Sequence, residues 1–246
     1  MRHFERLVFT FLCLLLTNAT MAQFVEEKKI DTTGINRDVE NQQMLIKILD
    51  ASSKKNFRAD VVVKGINPRK PIVLSQVQDT VLFIKNYRRY TVSVVTEGYM
   101  YFAHKFWPDE SETHSETIEL EPLEVGLKTT IEDIVFPGDE ITLHAKSNFA
   151  LEELVSFMKK NPDVKIKIIG HANGPKDQKG TRSASFYRKV TEQRAQSVRD
   201  YLIRKGVQAD RLATEGKGNS EMLYANPITD WQTQMNRRIE IEVIGL

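Results

Sequence analysis

The sequence predicts an α+β chain in two parts: an N-terminal antiparallel β-sandwich, then a βαβαβ domain with two helices packed on a mixed sheet. Three observations carry this. Residues 43–120 hold short apolar runs separated by turn residues, with no helical period between them. Leu151, Leu154, Val155 and Met158 recur at i, i+3, i+4 and i+7, and Val190, Ala195, Val198 and Leu202 make a second apolar stripe. Between and after these helices, Ile166-Lys167-Ile168 and Ile239-Glu240-Ile241-Glu242-Val243 alternate with the period of a strand.

At the start of the chain, Arg2 and Arg6 accompany an apolar run over residues 7–16 broken by Thr10, and Thr20-Met21-Ala22 places small residues before Gln23. This is the pattern of a secretory signal peptide over residues 1–22, and the run is about half of the ~20 residues that span a bilayer. Cys13 is the one cysteine and lies inside that run, behind Phe11 and Leu12 where a lipobox has small residues. The chain after cleavage therefore has no thiol for a disulfide, a metal site or a nucleophile. Cleavage removes Arg2, Arg6 and Glu5 from 35 basic and 33 acidic residues, leaving 33 against 32. Such neutrality argues against a nucleic-acid partner. Residues 23–41 are polar, include Glu26-Glu27-Lys28-Lys29, follow no period, and read as a flexible tail.

The sandwich is assigned to residues 42–121. Residues 44–49 are apolar apart from Lys47, and residues 61–63 and 81–84 are two further apolar runs. Tyr90-Thr91-Val92-Ser93-Val94 alternates, setting Tyr90, Val92 and Val94 on one face, and Thr117-Ile118-Glu119-Leu120 alternates again. Turn residues at 50–53, 65–68, 85–86 and 97–98 separate these runs. Tyr99, Tyr101, Phe102, Phe106 and Trp107 cluster before Pro108 and are expected to form core and edge of the sandwich, and residues 109–112 a solvated loop. The strand order and Gly98-Tyr99 resemble transthyretin-like, carboxypeptidase regulatory-like domains. The resemblance implies a spacer or docking surface, here for an outer-membrane or periplasmic protein partner.

Pro122 and Gly126 mark a linker over residues 122–130. The second domain, residues 131–246, opens with an alternating strand at 131–136, and a first helix ends at Asn161-Pro162 because proline cannot continue it. After the Ile166 strand and a loop comes the second helix, with Gly206 as its C-terminal cap. Residues 211–215 make a short strand before the Gly216 and Gly218 turn, and the last strand follows Asn236-Arg237-Arg238. Strand, helix, strand, helix, strand predicts parallel pairs joined by right-handed crossovers.

Gly170-His171 at a strand end, Thr191 three residues before Arg194-Ala195, the Gly216-x-Gly218 turn and Asn236-Arg237-Arg238 together resemble the OmpA-like C-terminal domain family. The resemblance implies a non-catalytic periplasmic module, associated with the outer membrane and cell wall, that binds the diaminopimelate stem peptide of peptidoglycan without a cofactor. In that family an aspartate after the strand end takes the ligand's ammonium, and an arginine on the second helix takes its carboxylate. The arginine corresponds to Arg194, but Asn173 stands at the place of the aspartate. The stretch from Asn173 to Arg194 is longer than usual, Tyr187 stands where an asparagine is common, and Thr233 where an arginine is common.

Three explanations follow: Asp177 on the longer loop replaces the carboxylate, the stem peptide carries a different charge at its third residue, or the fold now serves a protein partner. The candidate binding residues are Asn173, Arg194, Asp177, Asn236 and Arg237. The alternative function is a structural or assembly subunit that has lost peptidoglycan binding. His171 and His144 belong to no zincin or nucleophile-elbow motif, so the chain is expected not to be an enzyme.

Overall fold

The computed structural model describes residues 41–65, 70–85, 88–108, 113–137, 140–174 and 182–246. The expected signal peptide, the tail up to residue 40, the 109–112 loop, parts of the turns at 65–68 and 85–86, and Asp177 lie outside the described residues.

Seven strands build the first part: β1 (Asn41–Asp50), β2 (Ala59–Gly65), β3 (Ile72–Val77), β4 (Asp79–Lys85), β5 (Tyr90–Val94), β6 (Phe102–Phe106) and β7 (Thr113–Leu120). They form two sheets, ordered β4-β1-β7 and β3-β2-β5-β6. All pairs are antiparallel except β1 with β7, which is parallel. Alternation along β1 buries Met44, Ile46 and Ile48, which meet Val61, Val63, Val92, Val94, Ile118 and Leu120 in one core. The half-exposed strand β3 is an addition to the expected set, since its side chains bury little.

The aromatic cluster divides. Phe106 enters the sandwich core and stacks on Tyr90 and His114, with ring centroids 5.7 and 4.5 Å away. Tyr99 packs on Phe57, whereas Trp107 is exposed. Tyr101, with Val95 and Met100, is buried instead in the core of the second part.

That second part comprises β8 (Lys128–Ile131), α1 (Asn148–Lys160), β9 (Lys165–His171), α2 (Ala184–Arg204), β10 (Leu212–Gly218), α3 (Asp230–Asn236) and β11 (Ile239–Gly245). The sheet order is β10-β9-β11-β8, with β9 and β10 parallel and β11 antiparallel to both neighbours. The sheet is thus mixed, as expected, with β9 and β10 as the expected parallel pair. β8 and β9 run the same way, but the C-terminal strand fills the gap that their crossover leaves. Leu151, Leu154, Val155 and Met158 of α1 and Ala195, Val198 and Leu202 of α2 are buried, in one core with Ile166, Ile168, Ile241 and Val243.

The strand expected at residues 131–136 lies instead at Lys128–Ile131, and Asp133 has a φ of 65°. Alternation there reflects a loop, because Ile134 and Phe136 pack on the core without pairing. Helix α2 begins before Val190, capped by Ser183, whose Oγ accepts from the Phe186 N–H at 3.2 Å. Its first turns, Ala184 to Val190, bury no residue fully, so no apolar stripe marked them. Gly206 follows with a φ of 93°, the left-handed cap expected of it.

Residues Val39–Leu246 form one compact unit. Helix α1 joins the two cores: Ser93 Oγ donates to Glu153 at 2.7 Å, and Lys160 Nζ to Asp60 at 3.0 Å and to the Val95 carbonyl at 2.7 Å. The Gly98 N–H donates to Asn161 Oδ1 at 2.8 Å.

Candidate functional site

The end of β9 is pressed against α2, and glycine permits the approach. A Cβ at Gly170 would lie 2.3 Å from the Thr191 carbonyl oxygen, and one at Gly216 would lie 2.4 Å from that of Arg188. Gly218, with a φ of 58°, turns its N–H onto Thr191 Oγ1 at 2.9 Å. Thr191 Oγ1 in turn donates back into its own helix, toward the Tyr187 and Arg188 carbonyls. The Ala172 N–H donates to the Gly218 carbonyl at 2.7 Å and the His171 N–H to the Arg238 carbonyl at 3.0 Å, so the strand end is held on both sides.

Asn173 follows directly and is half-buried. Its Oδ1 accepts from Nδ2 of Asn236 at 2.8 Å. Asn236 is fully buried, and it also donates to the Tyr224 carbonyl at 2.8 Å and accepts from the Tyr224 N–H at 2.9 Å. Helix α3 places it there. Thr229 Oγ1 caps that helix by accepting from the Gln232 N–H at 3.1 Å. The helix was not among the expected elements, although Thr229-x-x-Gln232 carries the spacing of a capping box.

Arg194 lies one turn beyond Thr191 on α2 and is buried. Its Nε donates to the Glu140 carbonyl at 3.0 Å, and its guanidinium sits 5.0 Å from the centre of the Phe136 ring. The loop after β8 therefore holds the arginine in position. Arg237 is exposed. The buried neighbour is Arg238, which donates to Glu240 at 2.6 Å and to the Glu221 carbonyl at 3.3 Å.

The His171 ring reaches across to β11. Its Nε2 lies 3.2 Å from Glu240 Oε2, and its buried Nδ1 has no partner among the described residues. Burial pushes the Glu240 carboxyl up, but hydrogen bonds from His171 and Arg238, with their charges, outweigh it and hold the group at about 2. An ionised Glu240 only accepts, so Nε2 carries the proton. Among the described residues no group of three or more His, Cys, Asp and Glu side chains is placed to hold a metal ion. No helix among them is long and apolar enough to cross a membrane.

Residues 135–237 match the OmpA family. The OmpA family domain thus contains Asn173, Arg194, Asn236 and Arg237. Outer membrane protein A of Bordetella avium is 34% identical over 113 residues, covering 46% of this chain and 55% of that protein. The chain spans about half or less of the length of the curated relatives it matches. Among solved structures, the periplasmic domain of Helicobacter pylori MotB aligns over 51% of this chain and 77% of that chain, at 19% identity and a TM-score of 0.42. The peptidoglycan-associated lipoprotein from Burkholderia pseudomallei aligns over 46% and 88%, at 17% identity and a TM-score of 0.38.

Proposed function

We propose that this chain is a non-catalytic cell-envelope protein that binds the diaminopimelate stem peptide of peptidoglycan and tethers a periplasmic or outer-membrane complex to the cell wall. The observation that carries the reading is the constellation inside the OmpA family domain: Arg194 locked on α2, and Asn173 locked by Asn236 beyond the β9 end. A carboxylate-bearing end group suits a pre-positioned guanidinium, because ordering cost has been met in the free protein. Asp177 and the exposed Arg237 are assigned to the proposed site on sequence grounds alone, Asp177 as a carboxylate four positions after Asn173 and Arg237 as the neighbour of Asn236.

The sandwich is the proposed docking part, a transthyretin-like spacer for an envelope protein. Its β4-β1-β7 sheet leaves Leu45, Val81 and Phe83 exposed, beside a groove of about 550 Å³ lined in part by Lys47, Asp79 and Glu116. Exposed apolar side chains on a sheet suit a protein partner. The compartment proposed is the periplasm.

Co-sedimentation of the full chain with purified sacculi tests the binding. Retention that Arg194→Ala abolishes is expected. A chain that stays in the supernatant contradicts the tether and favours a structural subunit.

A further inference from the structure

We infer that Asn173 offers the ligand a hydrogen-bond donor, so that the site selects a stem peptide whose third-residue side-chain amine is acylated, as in a cross-link, over one with a free ammonium. This rests on the peptidoglycan reading and specifies the chemical state of the ligand.

The orientation of both amides follows from one backbone residue. A backbone N–H only donates and a backbone carbonyl only accepts. The atom of Asn236 that meets the Tyr224 N–H at 2.9 Å is therefore Oδ1, and the atom that meets the Tyr224 carbonyl at 2.8 Å is Nδ2. The second hydrogen of that Nδ2 goes to Asn173 at 2.8 Å, which makes the contacted atom of Asn173 its Oδ1. The amide of Asn173 is thus fixed with its oxygen inward. Its Nδ2 is left with two N–H donors and no acceptor among the described residues.

An aspartate at this place would keep one oxygen on Asn236 and present the other outward as an acceptor. Asparagine presents the same direction as a donor. An ammonium brings three donors and no acceptor, so it meets Nδ2 with no bond to form and gives up hydration on arriving. An acylated amine brings a carbonyl oxygen and no charge, and that oxygen accepts from Nδ2. The carboxylate held at Arg194 is common to both ligands and cancels in the comparison.

The test is calorimetric titration of the full chain with two muropeptides that differ only in acetylation of the third-residue side-chain amine, alongside Asn173→Asp and Asp177→Ala. The unaltered chain should bind the acetylated form about tenfold more tightly, and Asn173→Asp should reverse the order by a similar factor. Equal affinities, or preference for the free ammonium, overturn the inference and leave the peptidoglycan reading standing. A free-ammonium preference that Asp177→Ala abolishes overturns it in favour of a loop carboxylate. Binding of neither muropeptide by the unaltered chain or by Asn173→Asp overturns the peptidoglycan reading and the inference with it.

Discussion

At the scale of single residues, the site depends on groups that contribute position more than contact. Gly170 is the sharpest case, because a methyl group there would strike the backbone of α2, which cannot yield as a side chain would. Gly170→Ala should cost roughly 1–3 kcal/mol of stability, read as a lowered urea midpoint, with a weaker grip on the Asn173 loop. Glu240 gives a pH dependence whose sign is set by its depressed pKa. Its carboxyl falls from an ordinary 4.5 to about 2 in the folded chain, so its stabilisation is complete above 4.5 and is lost as the pH falls toward 2. Glu240→Gln should therefore destabilise the chain at neutral pH, and the gap between variant and unaltered chain should close on acidification. A gap that widens in acid would contradict the His171–Glu240–Arg238 network.

Among the elements, α3 matters most for the site and showed least in the sequence. Thr229→Ala removes its cap and should cost about 1 kcal/mol, with faster hydrogen exchange at the Tyr224 N–H that Asn236 accepts from. The elements that were legible are those whose apolar period faces a core: Met44, Ile46 and Ile48 on β1, Leu151 to Met158 on α1, and Ile239, Ile241 and Val243 on β11. Those that were not have no such face. Helix α3 buries chiefly Asn236, and the first turns of α2 bury little. The Ile134 and Phe136 alternation was legible but pointed to the wrong element, since a loop can also lay every second side chain on a core. Of the site, residue types at positions 173, 194 and 236 were visible from the sequence. The backbone partners that orient them were not, the Tyr224 backbone for Asn236 and through it Asn173, and the Glu140 carbonyl for Arg194, because a backbone group carries no residue-type signal.

Over the whole molecule, the two cores share a seam that the linker at residues 122–130 does not reveal. Val95, Met100 and Tyr101 leave the sandwich to complete the core beneath α1, and Lys160 and Asn161 bond back to residues 60 and 95–98. Tyr101→Ala should cost about 3–5 kcal/mol, and β-sheet circular dichroism and tryptophan fluorescence should still report one shared transition. Two separated transitions would show that the seam does not couple the cores. The seam also gives the proposed tether a mechanical route, since a partner docked on the sandwich is joined to the ligand site through packed side chains and not through a free linker.

The most direct measurement is chemical-shift mapping of the full chain with a soluble muropeptide, following the side-chain amides of Asn173 and Asn236 and the Nε of Arg194. The perturbed resonances should centre on residues 170–174, 194 and 236, with the Asn173 amide protons shifting furthest. Perturbation centred on Leu45, Val81 and Phe83, or none at millimolar ligand, would contradict peptidoglycan binding at the β9 end.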